Sequence, residues 1–237
     1  MFDWSSLDRS LLMGFSDLIK QRLVEVPRTP RSIVSDFRKL FKYLGVPIKL
    51  AQGLDPKLKS HEVAIGGTYW ATLDKKGQQP ITILFNFSPT AKKIALKPHQ
   101  FRLIKALLAD TILHEIIHLR QYRRRGFKDI PGYHSTASLS RDRKQQEYLG
   151  HPDEIDAYAF NISCNLVQKF KNPKDIIEYL NIDASDQRIR ETLYVWYLRT
   201  FDNNQRHRVI KKLKKKIIYY LPYAELGRPY KTTDWLR

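Results

Sequence analysis

Residues 111–126 read TILHEIIHLRQYRRRG, and the conformation of this stretch decides the fold. His114 and His118 lie four positions apart. On a helix they sit about 40° apart in projection and about 6 Å apart along the axis, so two imidazoles can converge on one ion at about 2.0–2.1 Å. Glu115 projects about 100° from His114, too far round to join them as a ligand. It can still reach the far side of a water held by that ion. This is the division of labour that metal-assisted hydrolysis needs, because the ion lowers the pKa of water and polarises a carbonyl while the carboxylate takes the proton and later returns it. The competing reading is an amphipathic helix whose two histidines share a face by accident.

The surrounding residues argue against accident. From Pro98 to about Arg125 the apolar period is helical, with Phe101, Ile104, Leu108, Ile112, Ile116 and Leu119 on one broad face. Leu103, Leu107, Leu113 and Ile117 spread apolar surface around most of the remainder, and a helix apolar nearly all round is buried on several sides. Two imidazoles and a carboxylate are costly to bury there unless something compensates them, and a metal ion would.

A catalytic ion of this kind takes a third protein ligand and keeps one open position. Glu154 in HPDEIDAYAF stands 36 residues after His118, in the first turn of the next strong helical pattern, residues 152–170. Ile155, Ala159, Ile162 and Leu166 form its packing stripe, and Glu154 falls at the border of that stripe. A glutamate in a first turn after a proline also suits helix capping and the macrodipole. The competitor is His134 in PGYHSTAS, 16 residues after His118, with His151 a weaker third choice. A donor for the developing oxyanion would come from Tyr133, His134 or Tyr158, none of them fixed by spacing. Asp110 and Asp156 are weak candidates to orient the histidines.

Elsewhere the chain opens with helical patterns over residues 7–24 and 31–44, the second closed by Gly45 and Pro47. HEVAIGGTYWATLD and ITILFNF, separated by KKGQQP, read as two strands and a turn. Ile81, Ile83, Phe85 and Phe87 give the second strand one apolar face. Residues 126–150 lack a clear period and read as a loop. Helices follow over 186–201 and 205–221, and the last residues read as a tail.

HEIIH followed by EIDAYAF resembles the gluzincin branch of zinc metallopeptidases, in which the HExxH helix is followed, after a loop, by a helix that supplies a glutamate. Glu154 and Ala157 give the ExxA form, similar to the ImmA/IrrE-like peptidases, and the pattern also resembles small phage-encoded metallopeptidases. The SprT-like DNA-associated proteases, which use a third histidine, are a more distant likeness. The resemblance covers about residues 60–170. It implies a zincin sheet whose edge strand binds extended peptide by strand addition, with Zn2+ on His114, His118 and Glu154 and Glu115 as general base. The thermolysin-type aspartate four residues beyond the glutamate is missing, since Tyr158 occupies that place.

Lys and Arg total 42 against 24 Asp and Glu, a formal charge of +18. Such an excess bears on partners and not on fold, and nucleic acid is the first candidate. Arg120, Arg123, Arg124 and Arg125 follow the histidine motif, and seven cations with no acid lie between Arg206 and Lys216. Ile210, Leu213, Ile217 and Tyr220 recur there at helical spacing, leaving Lys211, Lys212, Lys214 and Lys215 on the other side. That face is either merely solvated or binds DNA or RNA, with anionic lipid or an acidic protein as further partners. Tyr219, Tyr220 and Tyr223 could stack on bases, though aromatic residues at this spacing are more often core. Any nucleic-acid binding is expected to be backbone-directed and salt-sensitive.

The single cysteine, Cys164, excludes an internal disulfide and a cysteine-rich zinc knuckle. With no secretory signal pattern and no long apolar run, the expected location is intracellular: the cytoplasm, or the host cytoplasm for a phage-encoded chain. The combined expectation is an α+β zincin-like domain with a small sheet, an HExxH helix and additional helices at both ends. Residues 1–58 form an N-terminal helical region, 59–172 a metallopeptidase core and 173–237 a basic helical region, together one unit of unknown oligomeric state. The expected activity is that of a zinc metalloendopeptidase acting on protein or peptide, including proteins associated with nucleic acid. The alternative is a basic nucleic-acid-binding protein with a structural or inactive metal site.

Overall fold

The computed structural model describes residues 6–69, 80–128, 141–183 and 192–229. The chain packs as two compact units, one ending at Phe127 and the next starting at Lys128. The fold is α+β.

The first unit begins with α1 (Arg9–Asp17), α2 (Lys20–Leu23) and α3 (Pro30–Tyr43). Asp8 caps α1 by accepting from the Leu11 amide at 2.8 Å, and Thr29 caps α3 with Pro30 in its first turn. The single helix expected over 7–24 is broken after Asp17. The chain leaves helical geometry at Val24 to make a bridge to Leu96, and the Glu25 amide donates to the Leu96 carbonyl at 2.9 Å. Gly45, at φ +67°, ends α3 where expected.

Three strands follow: β1 (Ile48–Leu54), β2 (Val63–Thr68) and β3 (Ile81–Phe87), in the order β1-β3-β2. β3 runs parallel to β1, with Leu50 opposite Ile83, and antiparallel to β2, with Gly67 opposite Ile83. Ile81, Ile83, Phe85 and Phe87 are all buried, as their alternation predicts. Their face meets α3, where Phe37 lies 5.2 Å from Phe85 between ring centroids. The turn expected between β2 and β3 lies outside the described residues.

The long helix α4 (Pro98–Arg124) packs on β2, β3 and α1. Pro98 sits in its first turn, and the Lys97 amide donates to the Gln100 side chain at 2.9 Å. At 27 residues it is about 40 Å long. No described helix is long and apolar enough to cross a membrane.

The second unit consists, among its described residues, of α5 (Arg141–Gly150), α6 (Pro152–Lys169), α7 (Pro173–Tyr179), α8 (Leu193–Thr200) and α9 (Arg208–Glu225). Its centre is the packing of α6 on α9. Phe160 meets Tyr220 edge-on at 5.6 Å. The buried Ser163 hydroxyl lies 2.7 Å from the Ala159 carbonyl of its own helix and 3.0 Å from the Ile217 carbonyl of α9. Ile210, Leu213, Ile217 and Tyr220 are buried, as expected. α5 replaces part of the loop expected over 126–150. Its sequence, RDRKQQEYLG, is polar nearly all round, and it is tied in by the buried Leu149 and a bond from Gln146 Nε2 to the Thr200 carbonyl at 2.8 Å. The short α7 is capped by Asn172. α8 begins at Leu193, capped by Thr192, so the front of the helix expected over 186–201 falls largely outside the described residues.

Candidate metal centre

α4 supplies the two histidines from successive turns. His114 Nε2 and His118 Nε2 face each other at 3.1 Å, and the rings stand nearly perpendicular, 4.7 Å between centroids. Two imidazole lone pairs do not point at each other at this distance without something positive to share, a proton or a cation. Two nitrogens at about 2.0–2.1 Å from a tetrahedral ion lie about 3.3 Å apart, close to the separation seen. His118 Nδ1 lies 2.9 Å from Gln121 Oε1. With Nδ1–H donating to that amide oxygen, the Nε2 lone pair is left for a ligand.

The third group is Glu154 of α6. One ligand atom from each of His114, His118 and Glu154 lies within 4.8 Å of the others. His114 and Glu154 are only 7% and 4% exposed. The amide donors at the start of α6 are not left to Glu154, because His151 is the N-cap and its Nδ1 accepts from the Asp153 amide at 3.3 Å. Capping thus falls to His151, which the sequence offered as a weak ligand candidate. Two neutral imidazoles and one carboxylate give a three-donor set able to chelate a divalent metal.

Glu115, 5% exposed, lies on the side of α4 that faces β2. A Cβ added at Gly67 would stand 2.5 Å from Thr111 Cγ2, 2.8 Å from Glu115 Oε1 and 2.9 Å from Glu115 Cγ. Only a residue without a side chain lets the β2 backbone approach the carboxylate this closely. At Gly66 a Cβ would meet nothing within 4 Å.

Asp110, one turn before His114, is bound to Arg9 of α1 at 2.6 Å. Burial pushes its carboxyl above the ordinary value, and the bond and charge of Arg9 draw it back only in part. Asp156 pairs with Lys216 of α9 at 2.7 Å. Both aspartates thus hold helices together. Gln121, for which the sequence suggested no role, is bonded to His118, and its position three residues after that histidine was the available signal.

Tyr158 stands one turn after Glu154, half-buried, its ring 5.7 Å from Tyr197 and 6.0 Å from Trp196. Tyr197 is fully buried and donates its hydroxyl to the Leu149 carbonyl. Its own proton is held more tightly than usual, by burial first and then by the negative charge of Glu154. Tyr133 and His134 lie outside the described residues.

The basic residues take two positions. Arg123 and Arg124 close α4 and Arg125 caps it, with the Arg125 guanidinium 4.5 Å from the Tyr122 ring centroid. Cations there suit the negative end of the helix. On α9, Lys211, Lys212 and Lys215 are exposed, and Lys214 is half-buried and bonded to Asn181 at 2.9 Å.

No family model matches the chain, and no curated protein or solved structure matches it either. The class therefore rests on the site itself. The His114, His118 and Glu154 cluster matches a zincin-type HExxH metal site, a donor set typical of catalytic zinc metallopeptidases and consistent with hydrolysis by metal-activated water.

Proposed function

We propose that the chain is a zinc-dependent endopeptidase of the gluzincin kind, most like the ImmA/IrrE-like and phage-encoded enzymes. Residues 59–172 carry its catalytic residues, residues 173–237 are a flanking helical region, and residues 1–58 add helices together with β1, which pairs with β3 in the same sheet. The observation that carries this reading is the convergence of two imidazoles and a carboxylate within 4.8 Å, beside a second buried carboxylate. Zn2+ held by His114, His118 and Glu154 would act as a Lewis acid and bring the pKa of water to about 7. Glu115 takes the proton from the attacking water on a carboxylate oxygen and delivers it to the departing amine nitrogen. Gly67 keeps the β2 backbone against that carboxylate and so limits where it can swing. Tyr158 stands on the same helix as Glu154, and with Tyr133 and His134 it makes up the set from which the oxyanion donor is drawn. Intracellular proteins, among them proteins bound to nucleic acid, are the substrate class we favour.

The deciding experiment compares the wild type with Glu115→Gln on a fluorogenic peptide library, with bound metal measured by mass spectrometry. The variant should bind zinc fully and lose about 10²–10⁴-fold in kcat, and chelation should abolish wild-type activity until Zn2+ is restored. Full activity in Glu115→Gln, or activity indifferent to chelator, refutes the mechanism.

A further inference from the structure

The second unit carries a groove of about 490 Å³ formed by Pro152 and Ile155 from the first turn of α6 and Lys212, Lys215, Lys216 and Tyr219 from α9. Two chemistries meet in it. Proline, isoleucine, a tyrosine ring and lysine methylenes make its walls apolar, while lysine ammonium groups stand at its rim. Lys216 is compensated by Asp156 at 2.7 Å. Lys212 and Lys215 are exposed, and no acid occurs between Arg206 and Lys216. Tyr219 is 53% exposed, with its ring 5.1 Å from Tyr220 and 5.5 Å from Tyr223.

An occupant must bring negative charge along α9 and a flat apolar face at one point. An anionic bilayer asks for an apolar stripe along the exposed side of the helix. Here positions 211, 212, 215 and 216 of that side are all lysine, and exposed apolar groups appear only from Ile218 on. A nucleic-acid duplex keeps its bases stacked inside and offers the tyrosine nothing but backbone. An unpaired strand offers both features, phosphates in a row and bases free to stack.

We propose that this groove binds single-stranded nucleic acid, with backbone phosphates on Lys211, Lys212 and Lys215 and one unstacked base against Tyr219 above Ile155. Binding there is independent of whether the metal centre cleaves peptides. The test is fluorescence anisotropy of the full chain with labelled oligo(dT), titrated at several salt concentrations. Affinity should fall with salt, and in Lys212→Gln/Lys215→Gln the log–log slope should be shallower by about 1.4, at about 0.7 per phosphate contact. Tyr219→Ala should weaken binding about 5- to 150-fold with an unchanged salt slope, and Tyr219→Trp, which keeps a stacking face, should bind as tightly as wild type. Thermal melts establish that each variant is folded, and if Tyr219→Ala is not, the lysine variant and Tyr219→Trp carry the decision. Wild-type affinity in Tyr219→Ala, an unchanged slope in the lysine variant, or tighter binding to duplex DNA, phosphatidylserine vesicles or poly-glutamate than to oligo(dT) overturns the proposal.

Discussion

Replacing Gly67 by alanine tests whether the spacing between strand and helix positions the proposed general base. The new methyl carbon would stand 2.5 Å from Thr111 Cγ2 and 2.8 Å from Glu115 Oε1, against about 3.5–4.0 Å for carbon atoms in comfortable contact. Thr111 has only two common χ1 rotamers on a helix and Glu115 Cγ crowds the same point at 2.9 Å, so relief comes from a turn that displaces the Glu115 carboxylate or from a separation of strand and helix, in either case by about 1 Å. A misplacement of that size reduces turnover by about 10²-fold, equal to about 2.7 kcal/mol on the barrier. The three atoms nearest the added carbon belong to Thr111 and Glu115 and none to a histidine, so zinc should still bind. Gly66→Ala is the matched control, one residue along the same strand with open space at its Cβ, and it should stay within about twofold of wild type by the same rate scale. The assay is kcat and KM on a fluorogenic peptide, with zinc content and melting temperature determined for both variants. Wild-type kcat in a folded, zinc-loaded Gly67→Ala protein refutes the positioning role. So does an equal loss in Gly66→Ala, which would mean that any side chain on the strand is tolerated badly.

Two further outcomes follow from neighbours of the site. Gln121→Ala removes the acceptor 2.9 Å from His118 Nδ1 and should weaken metal binding about 10- to 100-fold in competition with a chromogenic chelator; unchanged affinity would show that Gln121 does not orient the ring. Arg9→Met leaves the buried Asp110 carboxylate without its counter-charge and should cost about 3–5 kcal/mol at neutral pH, read from urea unfolding. The folded chain already holds the Asp110 proton more tightly than the unfolded chain, since burial raises its pKa above 3.8. The contribution of this carboxyl to stability is therefore fully present below that value and declines as pH rises through the raised one. Without Arg9 the decline extends to higher pH, so the penalty of Arg9→Met should shrink on acidification; a penalty flat with pH contradicts the assignment.

What could be read from the residues depended on how strongly burial stamps a period on them. α4 and α6 are long and closely packed, and β3 is buried on one full face, so their patterns announce them. β1 does not: of IKLAQGL only Leu50 is buried, and an edge strand with one buried residue carries no alternation to find. α5 escaped for the opposite reason, a helix polar nearly all round in which Leu149 is buried and Gln146 bonds to the Thr200 carbonyl. α7, at seven residues, is too short to show a period. The three residues of the cluster were legible because the geometry a metal would require maps onto fixed helical offsets, four residues between the histidines and a first-turn position for the glutamate. Gly67 and the Arg9–Asp110 pair were not, since each depends on which distant element arrives opposite, and no spacing along the chain encodes that.

The burial of His114, Glu115 and Glu154 makes the metal centre a part of the hydrophobic interior as well as a place where chemistry happens. Polar and charged groups withdrawn from water need compensation, and an ion that supplies it binds the folded chain far better than the unfolded one. Its binding free energy then appears as folding free energy. Metal supply during synthesis would in that case govern how much protein accumulates, and stripping the ion would loosen the same helix that gives the first unit its core.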